Sequence, residues 1–175
     1  MTLEIKVSKK LVPYKYAFEQ LRKRVDSIKK HKSKDLIWIL EHPLTYTSGI
    51  RSNENEVLDK KIKIIKTNRG GKITLHNPGQ KIVYFALDLN KRNKDVKNLI
   101  INIENSIIEF LKIYKISSYA DKENIGIWVN EKKIAAIGLR ITGWIAYHGF
   151  SININNCLKP YRKIIPCGLD NTKIT

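Results

Sequence analysis

The stretch from Ile125 to Gly168 reads IGIWVNEKKIAAIGLRITGWIAYHGFSININNCLKPYRKIIPCG. Two of its apolar runs, 125–129 and 133–139, flank the dipeptide Asn130-Glu131, and this arrangement predicts a β-hairpin with a short turn. A third apolar run, 144–153, predicts a further strand.

One lysine of this stretch has two possible explanations. Lys133 opens a strand of small and apolar residues, where partial desolvation would lower the pKa of its amine. The alternative is a lysine at the end of a strand whose amine reaches water, and this is what we expect of its neighbour Lys132. The residue types alone leave both explanations open for Lys133.

A cysteine between proline and glycine is the candidate nucleophile. Pro166 restricts the backbone before Cys167 and Gly168 permits a tight turn after it, as suits an exposed thiol. A thiol with the ordinary pKa of about 8.5 is mostly protonated at neutral pH, so it needs a nearby cation or base. Lys133 would supply that charge if the fold brings the two together. The alternative, a buried cysteine that acts as a small hydrophobic residue, suits Cys157 better.

The length and composition indicate an ordinary globular protein. The 175 residues predict a single domain, 1–175. No apolar run approaches the ~20 residues of a membrane span, and the opening MTLEIKVSKK has no signal-peptide core, so we expect a cytoplasmic protein. The two cysteines lack the spacing of a metal site, and we expect no structural disulfide.

The formal net charge is +17, from 33 Lys and Arg against 16 Asp and Glu. An A+T-rich genome would produce this excess of lysine without any functional reason. An acidic protein partner would also explain it, through long-range electrostatic steering. Nucleic acid is a third explanation, but the lysines are scattered and form no dense tail or aromatic-interleaved patch.

The rest of the chain contains segments with the apolar spacing of helices and segments with the apolar runs of strands. Apolar residues at helical spacing predict amphipathic helices over 14–30 and 96–114. Apolar runs predict strands over 35–40, 62–66 and 80–89. The segment EHPLTYTSG, 41–49, is expected to be a structured loop that His42 anchors. Together these elements predict an α/β or α+β fold with a central, mainly antiparallel sheet.

A paired glycine follows the strand predicted at 62–66. Gly70 and Gly71 would let the backbone approach a ligand closely, because neither has a Cβ atom. The adjacent Arg69 would then bind a carbonyl or a carboxylate. The alternative is a plain β-turn. The chain contains no GxxxxGK[ST] motif, so this is not a nucleoside-triphosphate loop.

Four motifs taken together resemble the lipoyl(octanoyl) transferases of lipoate biosynthesis. The chain carries RGGxxTxHxPGQ at 69–80, KxAxxG at 133–138, HG followed by Phe-Ser at 148–151, and PCG at 166–168. Three positions depart from the usual pattern. Leu75 replaces a tyrosine, where it would reshape the pocket wall, Asn77 replaces a glycine, and Ala146 replaces a threonine.

The resemblance implies the biotin/lipoate ligase-like fold, similar to class II aminoacyl-tRNA synthetase cores. It implies that Cys167 is the nucleophile and that Lys133 is its acid-base partner. It also implies a set of residues that bind the acyl substrate: Arg69, Gly70, Gly71, Lys72, Ile73, Thr74, Leu75, His76, Ala136, Ile137, Gly138, Gly149, Phe150 and Ser151. Gly138 would let the acyl chain lie against backbone, and His148 would support the site.

The family transfers an octanoyl group from octanoyl-acyl carrier protein to the lysine of a lipoyl domain. The acceptors are acyltransferase subunits of 2-oxoacid dehydrogenases and the H protein of glycine cleavage. The resemblance implies a ping-pong mechanism, in which the amides of Gly71 or Gly168 stabilise the oxyanion. It implies no cofactor, no metal, no nucleic acid and no membrane, and we expect a monomer.

Two other functions are compatible with parts of this sequence, and its C-terminus departs from the family pattern. An ATP-dependent lipoate- or biotin-protein ligase on the same fold would need an adenylate site and no PCG cysteine. A basic RNA-binding module would leave the cysteine without a role. Residues 170–175 resemble the approach to a (V/I)TS element, after which family members usually continue, so we expect a shortened C-terminal segment.

Overall fold

The computed structural model describes residues 3–169 and 173–175, so Asp170, Asn171 and Thr172 of the expected C-terminal element lie outside the described residues. The strands are β1 (Leu3–Val7), β2 (Asp35–Leu40), β3 (Thr45–Ser48), β4 (Ile64–Lys66), β5 (Thr74–His76), β6 (Gln80–Asp88), β7 (Tyr119–Ala120), β8 (Gly126–Val129), β9 (Lys132–Thr142) and β10 (Ile145–Asn153). The helices are α1 (Tyr14–Lys29) and α2 (Val96–Ile113).

The main sheet has seven strands in the order β1-β2-β6-β10-β9-β8-β7. The β1–β2 pair is parallel, and the other five neighbouring pairs are antiparallel. The expected mixed, mainly antiparallel sheet is therefore confirmed. Its centre is the β6–β10–β9 unit, and two of these three strands come from the stretch quoted above.

The two helices cover opposite faces of the main sheet. In β6, Tyr84 and Ala86 pack in the cluster that contains the buried side of α1. The intervening Phe85 and Leu87 pack in the cluster that contains the buried side of α2. Because successive side chains of a strand point to opposite faces, a strand buried on both sides appears as one continuous apolar run.

The buried face of the α1 helix includes Leu21, Val25 and Ile28. The α2 helix begins after Asp95, whose carboxylate accepts a hydrogen bond from the amide of Asn98 at 2.9 Å and so caps the first turn. Both helices are confirmed within one residue of the predicted bounds. Neither crosses a membrane, since no helix among the described residues is long and apolar enough.

A second sheet of three strands, in the order β4-β3-β5, lies beside the main one. Its middle strand β3 falls within 41–49, which we expected to be a loop. Pro43 lies just before the strand, so this proline indicates where β3 begins and not a loop over the whole of 41–49.

Strand β1 was also missed. Its residues Leu3, Ile5 and Val7 are exposed, so β1 is held by backbone pairing and shows no buried face.

The predicted hairpin is confirmed as β8 and β9. Asn130 and Glu131 form its turn, with φ angles of 47° and 61°. Two consecutive left-handed residues match the twist of the flanking strands. The hairpin brings Lys133, the second residue of β9, opposite Trp128 of β8.

Candidate active site

A cavity of about 290 Å³ lies between α1, the strands β6, β10 and β9, and the loop before β5. Its volume is near the lower end of the range for small-ligand pockets, about 300–1,000 Å³. The cavity brings together both proposed catalytic residues and most of the proposed substrate-binding ones. The predicted residues that line it are Arg69, Gly70, Gly71, Lys72, Thr74, His76, Lys133, Ala136, Ile137, Gly138, Gly149, Phe150, Ser151 and Cys167.

Two residues of the predicted substrate-binding set do not line the cavity. Ile73 and Leu75 are 1% and 0% exposed and belong to the core of the second sheet. On β5 the side chains alternate, so Thr74 and His76 face the cavity while Leu75 points away from it. The expectation that Leu75 reshapes the pocket wall is therefore wrong.

Lys133 lies in the cavity wall and is 5% exposed. Its Nζ atom donates a hydrogen bond to the carbonyl oxygen of Ile125 at 3.1 Å and lies 5.0 Å from the ring centroid of Trp128. Burial lowers the pKa of Lys133 below its ordinary value, and the nearby Cys167 and Asp121 offset part of that effect. A lysine with a lowered pKa exchanges its proton more readily near neutral pH.

Cys167 lies on a tight turn after Pro166, with a left-handed φ of 57°. Its amide donates to the carbonyl oxygen of Ile73 at 2.8 Å, and its thiol is free and partly exposed. The turn thus presents the thiol to the cavity, as expected of a nucleophile. Cys157 is free and exposed, so the expectation that it is a buried hydrophobic residue is wrong.

The loop before β5 lies so close to β9 that two glycines are favoured at the contact. The amide of Gly70 donates to the carbonyl oxygen of Leu139 at 3.0 Å. A Cβ on Gly70 would lie 2.9 Å from that oxygen, and one on Gly138 would lie 3.2 Å from the oxygen of Gly70. Gly138 therefore admits the loop that forms the cavity wall, besides its expected role beside an acyl chain.

Arg69 is a buried cation within that loop. It is 9% exposed, and its Nη2 atom donates to the carbonyl and hydroxyl oxygens of Thr47 at 2.9 and 3.0 Å. Its Nη1 atom donates to the carbonyl oxygen of Gly70 at 3.0 Å. Burial lowers the pKa of Arg69. No carboxylate among the described residues pairs with it, so its charge acts on the cavity.

Three buried histidines lie around the inner end of the cavity. Burial lowers the pKa of His42 to about 4, of His76 to about 3 and of His148 to about 3. His42 Nδ1 donates to the carbonyl oxygen of Val12 at 2.6 Å, and its Nε2 accepts from the hydroxyl of Tyr84 at 2.9 Å. His42 is outside the cavity lining, so it anchors its loop as expected.

His76 and His148 line the cavity. His76 Nδ1 donates to Gln80 Oε1 at 2.8 Å, and His148 Nε2 donates to Asn68 Oδ1 at 2.8 Å. The ring of His76 stacks on Tyr14, with centroids 5.9 Å apart. Both imidazoles are therefore neutral, tethered groups of the cavity wall.

The two amides expected to stabilise an oxyanion differ in their availability. The amide of Gly71 makes no hydrogen bond to any residue that the structure describes, whereas that of Gly168 donates to the carbonyl oxygen of Ile165 at 3.3 Å.

Sequence reasoning missed Tyr14 and Tyr84, which line the inner end of the cavity. Both looked like core residues of a helix and a strand, and nothing in their spacing indicated a ligand.

Comparisons with known proteins identify the family of this chain. The family described as "Lipoyl protein ligase A/B catalytic domain" matches residues 13–175. The chain belongs to this family. One relative, named octanoyltransferase, from Wolbachia sp. subsp. Brugia malayi (strain TRS), is 42% identical over 174 residues, which cover 97% of this chain and 85% of the relative.

A second octanoyltransferase, from Anaplasma phagocytophilum (strain HZ), is 40% identical over 181 residues, covering 100% of this chain and 87% of the relative. Both relatives are transferases and match nearly the whole chain. The chain is accordingly an acyltransferase.

The solved structures that resemble it establish the fold. The crystal structure of lipoate-protein ligase A bound with ATP has a TM-score of 0.73 at 13% identity, covering 98% of this chain and 75% of that one. A bi-partite lipoate protein ligase from Thermoplasma acidophilum has a TM-score of 0.67 at 14% identity, covering 93% and 66%. The expected lipoate ligase-like fold is confirmed.

Proposed function

We propose that the chain transfers an octanoyl group from octanoyl-acyl carrier protein to a lysine of a lipoyl domain, through a thioester on Cys167. The observation that carries this proposal is the shared cavity of Cys167 and Lys133, a thiol and a buried amine in one acyl-sized space. The relatives named octanoyltransferase indicate which acyl group is transferred.

The first half-reaction forms the acyl-enzyme. The Cys167 thiolate, stabilised by the Lys133 ammonium, attacks the thioester carbonyl of the donor. The amide of Gly71, which lines the same cavity as Cys167, is the proposed hydrogen-bond donor to the oxyanion of the tetrahedral intermediate. As the intermediate collapses, the carbon–sulfur bond to the carrier breaks and Lys133 gives a proton to the departing pantetheine thiolate. One thioester replaces another, so no energy source is needed.

The second half-reaction uses the same pair in reverse. Lys133, now neutral because it has given up its proton, takes a proton from the incoming lysine amine of the lipoyl domain. That amine attacks the octanoyl thioester, an amide forms, and the Cys167 thiolate leaves beside the regenerated ammonium. Burial favours the neutral form of Lys133 in this step.

The deciding experiment measures intact mass after the protein is mixed with octanoyl-acyl carrier protein. We expect one octanoyl group on the parent protein and none on Cys167→Ala, with Cys157→Ala acylated like the parent as the matched control. Addition of a lipoyl domain should discharge the adduct and acylate the domain. A Cys167→Ala protein that still transfers octanoate would refute the thioester route.

A second assay, the exchange of pyrophosphate into ATP, separates the proposal from an ATP-dependent ligase. We expect transfer without nucleotide and no exchange of pyrophosphate into ATP in the presence of octanoate. Exchange that depends on octanoate or lipoate, with no adduct on Cys167, would assign the chain to the ligases instead.

A further inference from the structure

The turn that carries Cys167 needs support from outside itself. A non-glycine residue in the left-handed region is strained and persists only where the surroundings hold it there. Cys167 has this conformation, with φ of 57°. The residues that hold the turn therefore determine where the thiol points.

One such residue is Glu56, which belongs to none of the motifs. Its carbonyl oxygen accepts a hydrogen bond from the amide of Ile165 at 2.8 Å, two residues before the cysteine. The adjacent Val57 forms an antiparallel bridge with Ile164. The segment around Glu56 thus pairs with the chain that leads into the Cys167 turn.

The side chain of Glu56 supports the turn from a second direction. The residue is 5% exposed, and its Oε2 atom accepts hydrogen bonds from the amides of Ile73 and Asn53, each at 3.3 Å. The carbonyl of Ile73 in turn accepts the amide of Cys167 at 2.8 Å. The buried carboxylate is therefore connected to the backbone of the nucleophile by two hydrogen bonds that share Ile73.

The second carboxylate oxygen of Glu56 pairs with a lysine of the cavity wall. Glu56 Oε1 lies 3.1 Å from Lys72 Nζ. The Lys72 side chain lies against the backbone of Gly168, where a Cβ atom would be only 2.5 Å from Nζ. Glu56 therefore neutralises a cation that touches the residue next to Cys167.

We propose that Glu56 is a positioning residue of this active site, which fixes the Cys167 turn through Ile165 and Ile73 and neutralises Lys72 beside Gly168. The inference rests on the proposed role of Cys167 as nucleophile. It adds that the charge of Lys72, next to the Cys167 turn, is balanced by the carboxylate of Glu56. Because Glu56 pairs with Lys72, the ammonium of Lys133 stabilises the Cys167 thiolate without a second unpaired ammonium beside it.

Other charged and titratable groups also face Cys167, and they stay in place when the Glu56–Lys72 pair is changed. Lys133 on β9 and Arg69 on the loop before β5 line the same cavity as the cysteine, and the buried Tyr161 lines a smaller space beside it. Since these three are common to all the variants below, differences between variants report the pair alone.

The test is the pH dependence of Cys167 alkylation by iodoacetamide, in a Cys157→Ala background that removes the exposed thiol. Glu56→Gln leaves an uncompensated ammonium, so we expect the midpoint of the rate profile to move to lower pH. Lys72→Met leaves an uncompensated carboxylate, so we expect a move to higher pH. Each shift should be roughly half a pH unit, since water screens the partly exposed pair.

The double variant Glu56→Gln with Lys72→Met should return the midpoint towards that of the parent. A comparable pair on the same segments, Asp59 and Lys163, whose atoms Oδ2 and Nζ are 3.0 Å apart, provides the control, and Asp59→Asn should leave the midpoint unchanged. Shifts of the same sign in both single variants, or no shift in either, would overturn the inference. Alkylation needs no acyl donor, so this result is independent of whether octanoyl transfer is observed.

Discussion

Lys132 and Lys133 are adjacent in the chain and have opposite surroundings. Lys132 is exposed, whereas Lys133 is 5% exposed and its amine lies under Ile125 and Trp128. The reason is the period of two along a strand, which turns neighbouring side chains to opposite faces. The chemistry of this site therefore depends on the register of β9.

Replacing Lys133 with Met should lower octanoyl transfer at least about 100-fold, the usual contribution of a general acid-base group. The same change should move the midpoint of Cys167 alkylation to higher pH, because the thiolate loses its cation. Lys132→Met is the matched control and should stay within about twofold of the parent. Equal losses in the two variants would contradict the assignment of Lys133.

At the scale of elements, the site depends on how closely β10 approaches β6. Gly149 on β10 pairs with Tyr84 on β6, and a Cβ on Gly149 would lie 1.9 Å from the carbonyl oxygen of Val83. No side chain fits at that distance, and the clash is with backbone, which cannot rotate away. The glycine of the HG motif is thus required by the sheet as well as by the cavity.

Gly149→Ala should lower the free energy of unfolding by about 3 kcal/mol or more, through overpacking and backbone displacement. The control is Gly143→Ala, also at a positive φ, where the new Cβ would lie 3.5 Å from the flexible Lys29 side chain. That change should cost only about 1 kcal/mol. Urea denaturation measures both, and equal costs would show that close approach is not the cause.

For the whole molecule, three neutral histidines make stability depend on pH. In the unfolded chain each has a pKa near 6.5, whereas in the folded chain burial lowers the values to about 4, 3 and 3 for His42, His76 and His148. Below about pH 6.5 the unfolded state therefore binds more protons than the folded state. Stability is full above that pH and falls as the pH decreases towards 4.

We expect the free energy of unfolding to fall between pH 6.5 and pH 5 with a slope of up to about 4 kcal/mol per pH unit, about 1.4 per histidine. His76→Gln should reduce this slope by about a third, and the exposed His31→Asn should leave it unchanged. Urea titrations at several pH values measure the slope. An identical slope in His76→Gln and in the parent would contradict the prediction.

The net charge of +17 also acts at the scale of the molecule. If the partners are acidic proteins, kcat/KM for transfer should fall several-fold between about 50 and 500 mM salt, because screening weakens electrostatic steering. A short octanoyl thioester without a carrier protein provides the control, and its rate should hardly change. Equal salt dependence for both donors would favour an A+T-rich genome as the origin of the positive charge.

The sequence by itself determined the elements whose signals are local. The periodicity of α1 and α2, the continuous run of β6 and the Asn130-Glu131 turn each depend on residues within a few positions of one another, so they could be predicted. The motifs also indicated Cys167, Lys133 and most residues of the cavity wall. Strand β1 was not predicted although its apolar residues alternate with polar ones, and β3 was missed because Pro43 resembled a loop signal.

Only the tertiary structure decided which side chains meet. Ile73 and Leu75 belong to a motif but face a core, whereas Tyr14 comes from a distant helix and lines the cavity. Glu56 reaches Lys72 across 16 positions and Ile165 across more than 100. Such contacts arise from the packing of whole elements, and the free energy that selects one arrangement is shared among many residues. No local pattern in the chain encodes them.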